Sequence, residues 1–194
     1  MPAYFPQFVN RIGRIGADPA DSPDLRQRKR LLVVLSILVM PAGIIWGLLY
    51  FAFSEWLAGA IPLGYAVLSA FSLNSFSSHR RYRVLKFIQI LLILLLPFLL
   101  QIALGGFIDS SAVILWSMLG VFFVLIIESP RSALPWFLVY TALVGVSGLV
   151  EPYLRQGNNI PAGVVILFFV LNISTTSLIA FAMLYYFMSQ LRQE

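Results

Sequence analysis

The sequence predicts an all-α protein: an integral membrane bundle of six transmembrane helices with both termini cytoplasmic. Three observations carry this prediction. Of the 194 residues 60% are hydrophobic and only 11% charged, less than half the roughly 25% charge of a soluble globular domain. The apolar residues form long continuous runs, without the alternation that an outer-membrane barrel requires. The basic residues gather between those runs on one side, as the positive-inside rule demands of a multi-pass inner-membrane protein.

The chain reads as a tail over residues 1–30, a membrane domain over 31–188 and the start of a cytoplasmic transducer helix over 189–194. The tail holds four prolines, Pro2, Pro6, Pro19 and Pro23, with Asp18, Asp21 and Asp24. Phe5, Phe8, Val9, Ile12 and Ile15 recur at helical spacing beside Arg11 and Arg14, which suits a short helix lying on a membrane surface. A disordered tail with a few apolar residues fits equally well. Neither an early apolar run nor a small-residue cleavage site marks a signal peptide.

A basic cluster, Arg26, Arg28, Lys29 and Arg30, directly precedes span one (31–53), in which Pro41 predicts a kink. Neighbouring helices can satisfy the backbone that such a proline frees. Span two (57–76) follows a loop with Glu55 and Trp56, and a second basic cluster follows it: Arg80, Arg81, Arg83 and Lys86. Span three (84–104) is Leu-rich with Pro97 inside it, and Gly105-Gly106 breaks it. Span four covers 112–127 and span five 134–150. Span six (161–188) opens with Asn158-Asn159 and with Pro161 at a favoured first helical position.

From Ala162 no proline interrupts that last run. Its 34 residues from Pro161 would reach roughly 50 Å as a helix, against about 30 Å of hydrocarbon. The expectation is a helix that crosses the membrane, projects into the cytosol and ends at Glu194 as the cut edge of a transducer. Orientation follows from the charges. Of the 13 Lys and Arg residues, only Arg155 falls on the side opposite the termini.

Function classes narrow quickly. Without cysteine there are no disulfides or thiolate chemistry. Glu55, Asp109, Glu128, Arg131 and Glu151 all fall at span ends, which argues against a proton-coupled pump, because ionisable groups inside spans mark such pathways. His79, the one histidine, sits in a basic loop and reads as an interfacial residue. No constellation of catalytic or metal-ligating type appears, so no catalytic residue, metal or cofactor is expected. Nor is a nucleic-acid partner, since the basic residues flank spans.

Two groups of polar residues stand out. Asn172, Thr175 and Thr176 share one face of span six, continued by Ile179 and Met183. Such a stripe predicts contact with another helix, the candidate partners being Gln89 and Gln101 on span three and Asn74 on span two. Ser and Thr can instead bond to carbonyls of their own helix. The second group is the segment Gly105, Gly106, Asp109, Ser110, Ser111 and Trp116. The glycines suit a tight turn, Asp109 or Ser110 can cap span four, and Trp116 can anchor at the membrane surface. A ligand pocket between spans three, four and six is the sharper reading of the same residues.

Four stretches together carry a family resemblance: Arg14-Ile-Gly-Ala-Asp-Pro-Ala-Asp-Ser-Pro-Asp-Leu25, Leu104-Gly-Gly-Phe-Ile-Asp-Ser-Ser-Ala-Val-Ile-Leu-Trp-Ser117, Ser129-Pro-Arg131 and Phe169-Val-Leu-Asn172. Over essentially its whole length the chain resembles the six-helix membrane anchor of bacterial class III adenylate/guanylate cyclases. The resemblance implies a homodimer in the plasma membrane, a last helix that feeds a coiled-coil transducer and a cytoplasmic catalytic domain making cyclic nucleotide. It also implies a sensor role, with a small hydrophobic or extracellular ligand. The lyase chemistry would belong to that catalytic domain, so no catalytic residue carries over to this chain. An independent small transporter or permease is the main alternative, and a ligand-free scaffold the third.

Overall fold

The computed structural model describes Ile15, residues 18–155 and residues 157–191. The expected surface helix of the tail lies outside these residues except for Ile15, as do residues 192–194 of the expected transducer. Among the described residues the secondary structure is helical, with no strand. The helices are α1 (Pro23–Ala52), α2 (Trp56–His79), α3 (Tyr82–Leu104), α4 (Leu115–Ile127), α5 (Pro130–Val150) and α6 (Ala162–Leu191). A single 3₁₀ turn, Glu151–Tyr153, follows α5.

Local chemistry sets several of these boundaries. Ser22 caps α1 by accepting from the Leu25 N–H, and Pro23 stands in the first turn. The helix therefore starts before the apolar run, and Arg26, Arg28, Lys29 and Arg30 form its opening turns rather than a preceding loop. Hydropathy marks where a helix becomes apolar, whereas the cap marks where it begins. Pro41, Pro62 and Pro97 all lie inside helices that continue past them.

Among the described residues, five helices are long and apolar enough to cross a membrane. The exception is α4, whose 13 residues reach only about 20 Å at ~1.5 Å per residue. This corrects the expected regular span over 112–127. Ser111 and Ala112 have φ of 58° and 55°, in the left-handed region that an α-helix cannot accommodate, so regular helix starts only at Leu115. Residues 105–114 are turns instead, and Ser110 and Ser111 within them are buried. Irregular backbone at such depth is tolerable where protein covers it.

Sequential helices pack in order: α1 on α2, α2 on α3, α3 on α4 and α4 on α5, with α6 set against α4. Between α1 and α2 the backbones nearly touch. A Cβ on Gly47 would lie 2.9 Å from the Gly59 carbonyl oxygen, and one on Gly59 would lie 2.8 Å from that of Gly47. Small residues allow this in membranes, where close packing replaces the hydrophobic drive between helices.

Alternating helix directions define two ends. At the basic end lie the start of α1 and the α2–α3 and α4–α5 connections. Among the described residues, ion pairs fasten it: Asp21 with Lys29 at 2.8 Å, Asp18 with Arg80 at 2.9 Å, and Lys86 with Glu128. Asp24 and Arg28 add a pair along α1. Arg81, Arg83 and Arg131 are exposed there. The other end, the cap, gathers the α1–α2, α3–α4 and α5–α6 connections.

Candidate functional site

The cap is assembled from one carboxylate in each of its three connections. Glu55, 4% exposed, accepts from the Asn159 N–H at 2.7 Å and pairs with Arg155. Asp109 accepts from the Gly157 N–H at 2.9 Å. Both Glu151 carboxylate oxygens accept from the Phe107 N–H at 3.1 Å. Each acid thus satisfies a backbone donor in a neighbouring connection, and charged acceptors make the stronger hydrogen bonds. Asn158 adds a further stitch, donating to the Asp109 carbonyl at 2.8 Å and to that of Leu104 at 3.3 Å.

Gly105 and Gly106 make this possible. Helix α3 ends in a Schellman-type turn, in which Gly105 donates to the Ile102 carbonyl and Gly106 to that of Gln101. Their φ values of 105° and 112° suit glycine alone. A Cβ on Gly106 would also collide with the Glu151 carboxylate. The tight turn read from the sequence is present, and it turns Phe107 toward Glu151.

Asp109 and Ser110 do not cap α4. The residue before that helix, Ile114, makes no side-chain cap hydrogen bond. Asp109 is engaged with Gly157, and the Ser110 hydroxyl donates to the Phe107 carbonyl at 3.4 Å. The left-handed residues Ser111 and Ala112 separate both from the helix they were expected to cap.

Ser111 is the pivot between cap and bundle. Its hydroxyl donates to the Val165 carbonyl on α6 at 2.8 Å, and its own carbonyl accepts from the Asn172 side-chain amide at 2.9 Å. The Asn172 amide oxygen accepts from the Trp116 indole N–H at 3.0 Å. Asn172 is 3% exposed, so its amide is engaged wholly inside its own chain. The two groups that the sequence offered separately therefore form one node: residues 111 and 116 on one side and residue 172 on the other. Trp116, expected at the membrane surface, is partly buried with its N–H turned inward.

The remaining candidates lie elsewhere. Gln89 is buried and joins α3 to α2, donating to Ser72 at 2.8 Å and accepting from Ser69 at 3.3 Å. Gln101 is fully buried, and neither amide atom finds a hydrogen-bond partner among the described residues; the Ser147 hydroxyl on α5 shares that condition. Asn74 is exposed on α2. Thr175 is half-buried, and Thr176 is buried with its hydroxyl unpartnered. None of Asn74, Gln89 and Gln101 meets Asn172 by hydrogen bond.

Sequence reasoning missed the carboxylate stitching, because each acid read merely as a span-end residue. A signal was available: three acids share the cap with Arg155 as their single basic neighbour in sequence, so backbone N–H groups had to serve them. Among the described residues no group of three or more His, Asp or Glu gathers as a metal site would. Comparison of the chain with protein-family models, with curated proteins and with solved structures finds no match.

Proposed function

We propose that the chain is a six-crossing inner-membrane domain that senses at its cap and signals through α6, serving a bacterial adenylate/guanylate cyclase as dimerising anchor. In this reading α4, completed by the buried turns before it, makes the fourth crossing, and both termini are cytoplasmic. The lone basic residue on the opposite side, Arg155, supports that orientation.

The observation that carries the proposal is the attachment of α6. This helix runs 30 residues without a break, about 45 Å, and is fastened to the α3–α4 turn by the Asn172–Ser111–Trp116 node. A change in the cap connections would thus reach α6 directly and travel along a stiff rod to the basic end. The transporter reading finds less support, because none of its path residues Asn74, Gln89 and Gln101 meets Asn172 by hydrogen bond, Gln89 being engaged with Ser69 and Ser72 and Asn172 with Ser111 and Trp116.

The test is to join a cyclase catalytic domain after Glu194 and compare cyclic-nucleotide output and oligomeric state with the soluble catalytic domain. The expected result is a dimer in detergent and an output that changes when Asn172 is replaced by Leu. Equal output from fused and soluble catalytic domains, with a monomer in detergent, would sink the proposal. Substrate flux in proteoliposomes would favour the transporter.

A further inference from the structure

The basic end carries more positive charge than the chain itself matches. Among the described residues each of its acids is already taken: Asp18 by Arg80, Asp21 by Lys29, Asp24 by Arg28 and Glu128 by Lys86. Arg81, Arg83 and Arg131 are exposed and enter none of these pairs. Orientation in a membrane asks only that cations lie on this side. It does not ask that they crowd together.

At the start of α3 they do crowd. Arg83 and Lys86 stand three positions apart on that helix and so are neighbours on its surface. Arg28 of α1 also lies within electrostatic reach of the Lys86 ammonium. The Lys86 side chain is only 20% exposed, so water and salt screen this repulsion incompletely. Glu128 offsets one of the three charges, and Asp24, 71% exposed, offsets Arg28 only weakly. Arg83 has no acid. Like charges held together work against a fold, and an anion from outside the chain would relieve them.

Position says which anion. One turn beyond Arg83, on the same face, stands Phe87, 53% exposed. It packs against Trp136 of α5 with ring centroids 5.6 Å apart, so the apolar surface continues from α3 onto α5. A cationic head and an exposed apolar flank thus lie one above the other. A soluble phosphate would use the first alone, whereas a phospholipid uses both. We propose that the start of α3 binds an anionic phospholipid: Arg83 donates to its phosphate, Arg28 and Lys86 add positive field, and an acyl chain lies along Phe87. The anionic lipids of a cytoplasmic leaflet have this chemistry. The site requires the chain to lie in a membrane and is independent of the signalling role proposed above.

The experiment titrates the full chain, in neutral detergent, with dioleoyl phosphatidylglycerol, with dioleoyl phosphatidylcholine and with glycerol 3-phosphate, counting bound copies by native mass spectrometry. Phosphatidylglycerol should saturate, and at lower concentration than phosphatidylcholine. Glycerol 3-phosphate, which has the headgroup charge without the chains, should compete poorly. Arg83→Gln should weaken phosphatidylglycerol binding roughly fivefold, the effect of one basic residue near an anionic surface. Arg28→Gln reaches the same site from α1 and should act in the same direction, so a folding failure in one variant does not decide the matter. Arg131→Gln removes an equal charge from the start of α5 and should have a clearly smaller effect. The proposal is overturned if phosphatidylcholine binds as tightly as phosphatidylglycerol, or if Arg83→Gln and Arg131→Gln weaken binding equally, as a diffuse field would. It is overturned too if glycerol 3-phosphate competes as well as the lipid, which would mark a site for a soluble anion.

Discussion

The α1–α2 hairpin and α6 represent opposite ways of holding a helix in this bundle. In the hairpin, Gly47 and Gly59 bring the backbones into contact, leaving no room for either helix to shift without collision. Helix α6 packs its backbone closely on α4, is tied to the α3–α4 turn by polar side chains, and has an apolar cavity between its flank and α1. Its approach to α1 is through rings, Phe168 standing edge-on to Trp46 at 4.6 Å between centroids. Dense packing resists displacement over its whole length, whereas a few hydrogen bonds fix one level and permit motion beyond it. The hairpin is a closely packed platform, whereas α6 is held at one level by polar ties.

The largest effect should come from the platform. Gly59→Leu must push a side chain against the Gly47 carbonyl oxygen and is expected to cost about 3 kcal/mol, the upper range for overpacking. Detergent-denaturation midpoints measure this, and a loss below about 1 kcal/mol would show that the hairpin yields. Next comes the tie on α6. Asn172→Leu leaves the Ser111 carbonyl and Trp116 N–H without their partner, at an expected cost of about 1–2 kcal/mol. A double-mutant cycle with Trp116→Phe should return a coupling of about 0.6 kcal/mol or more. Zero coupling would mean that the node does not hold the helix.

A smaller change has the opposite sign. Ala112 adopts a left-handed conformation that costs an L-residue about 1–2 kcal/mol, while glycine loses about 0.5–1 kcal/mol of added chain entropy. Ala112→Gly should therefore be neutral or stabilising by up to about 1 kcal/mol, and a clear destabilisation would contradict the turn geometry at the node.

The smallest effect concerns acid at the basic end. The Asp18 carboxyl is held below its ordinary range by the Ala20 backbone N–H and then by Arg80. Asp21 is lowered chiefly by Lys29. Carboxyls whose folded-state values are depressed contribute stability above their unfolded values of about 4, and lose it as pH falls through the lower folded values. Hydrogen exchange of the amides at 18–22 should thus accelerate only below about pH 4, leaving α6 at the cap unaffected. Acceleration near neutral pH would show that these pairs do not fasten the segment.

Much of this architecture was legible in the sequence. Apolar runs located all six helices, since burial in hydrocarbon demands continuous hydrophobicity whatever the neighbours are. Gly105-Gly106 announced the end of α3, because their backbone freedom is a local property. The node escaped for a different reason. Asn172 read as a residue in search of a partner helix, and its actual partners, Ser111 and Trp116, sit 61 and 56 positions earlier on a turn and a neighbouring helix. Residue type states that an amide needs hydrogen bonds, but not which group will meet it.

By itself, then, the sequence determined the class of protein, the place of each long helix and the end where positive charge collects, because hydropathy, propensity and charge act locally along the chain. Only the tertiary structure decided that α4 begins late, that Gly47 opposes Gly59 and that three carboxylates stitch the cap through backbone N–H groups. It also decided that an apolar cavity lies between α1 and α6. These depend on which surfaces meet once the helices pack, and a hydrogen bond or a close backbone approach exists only between groups that the fold has brought together.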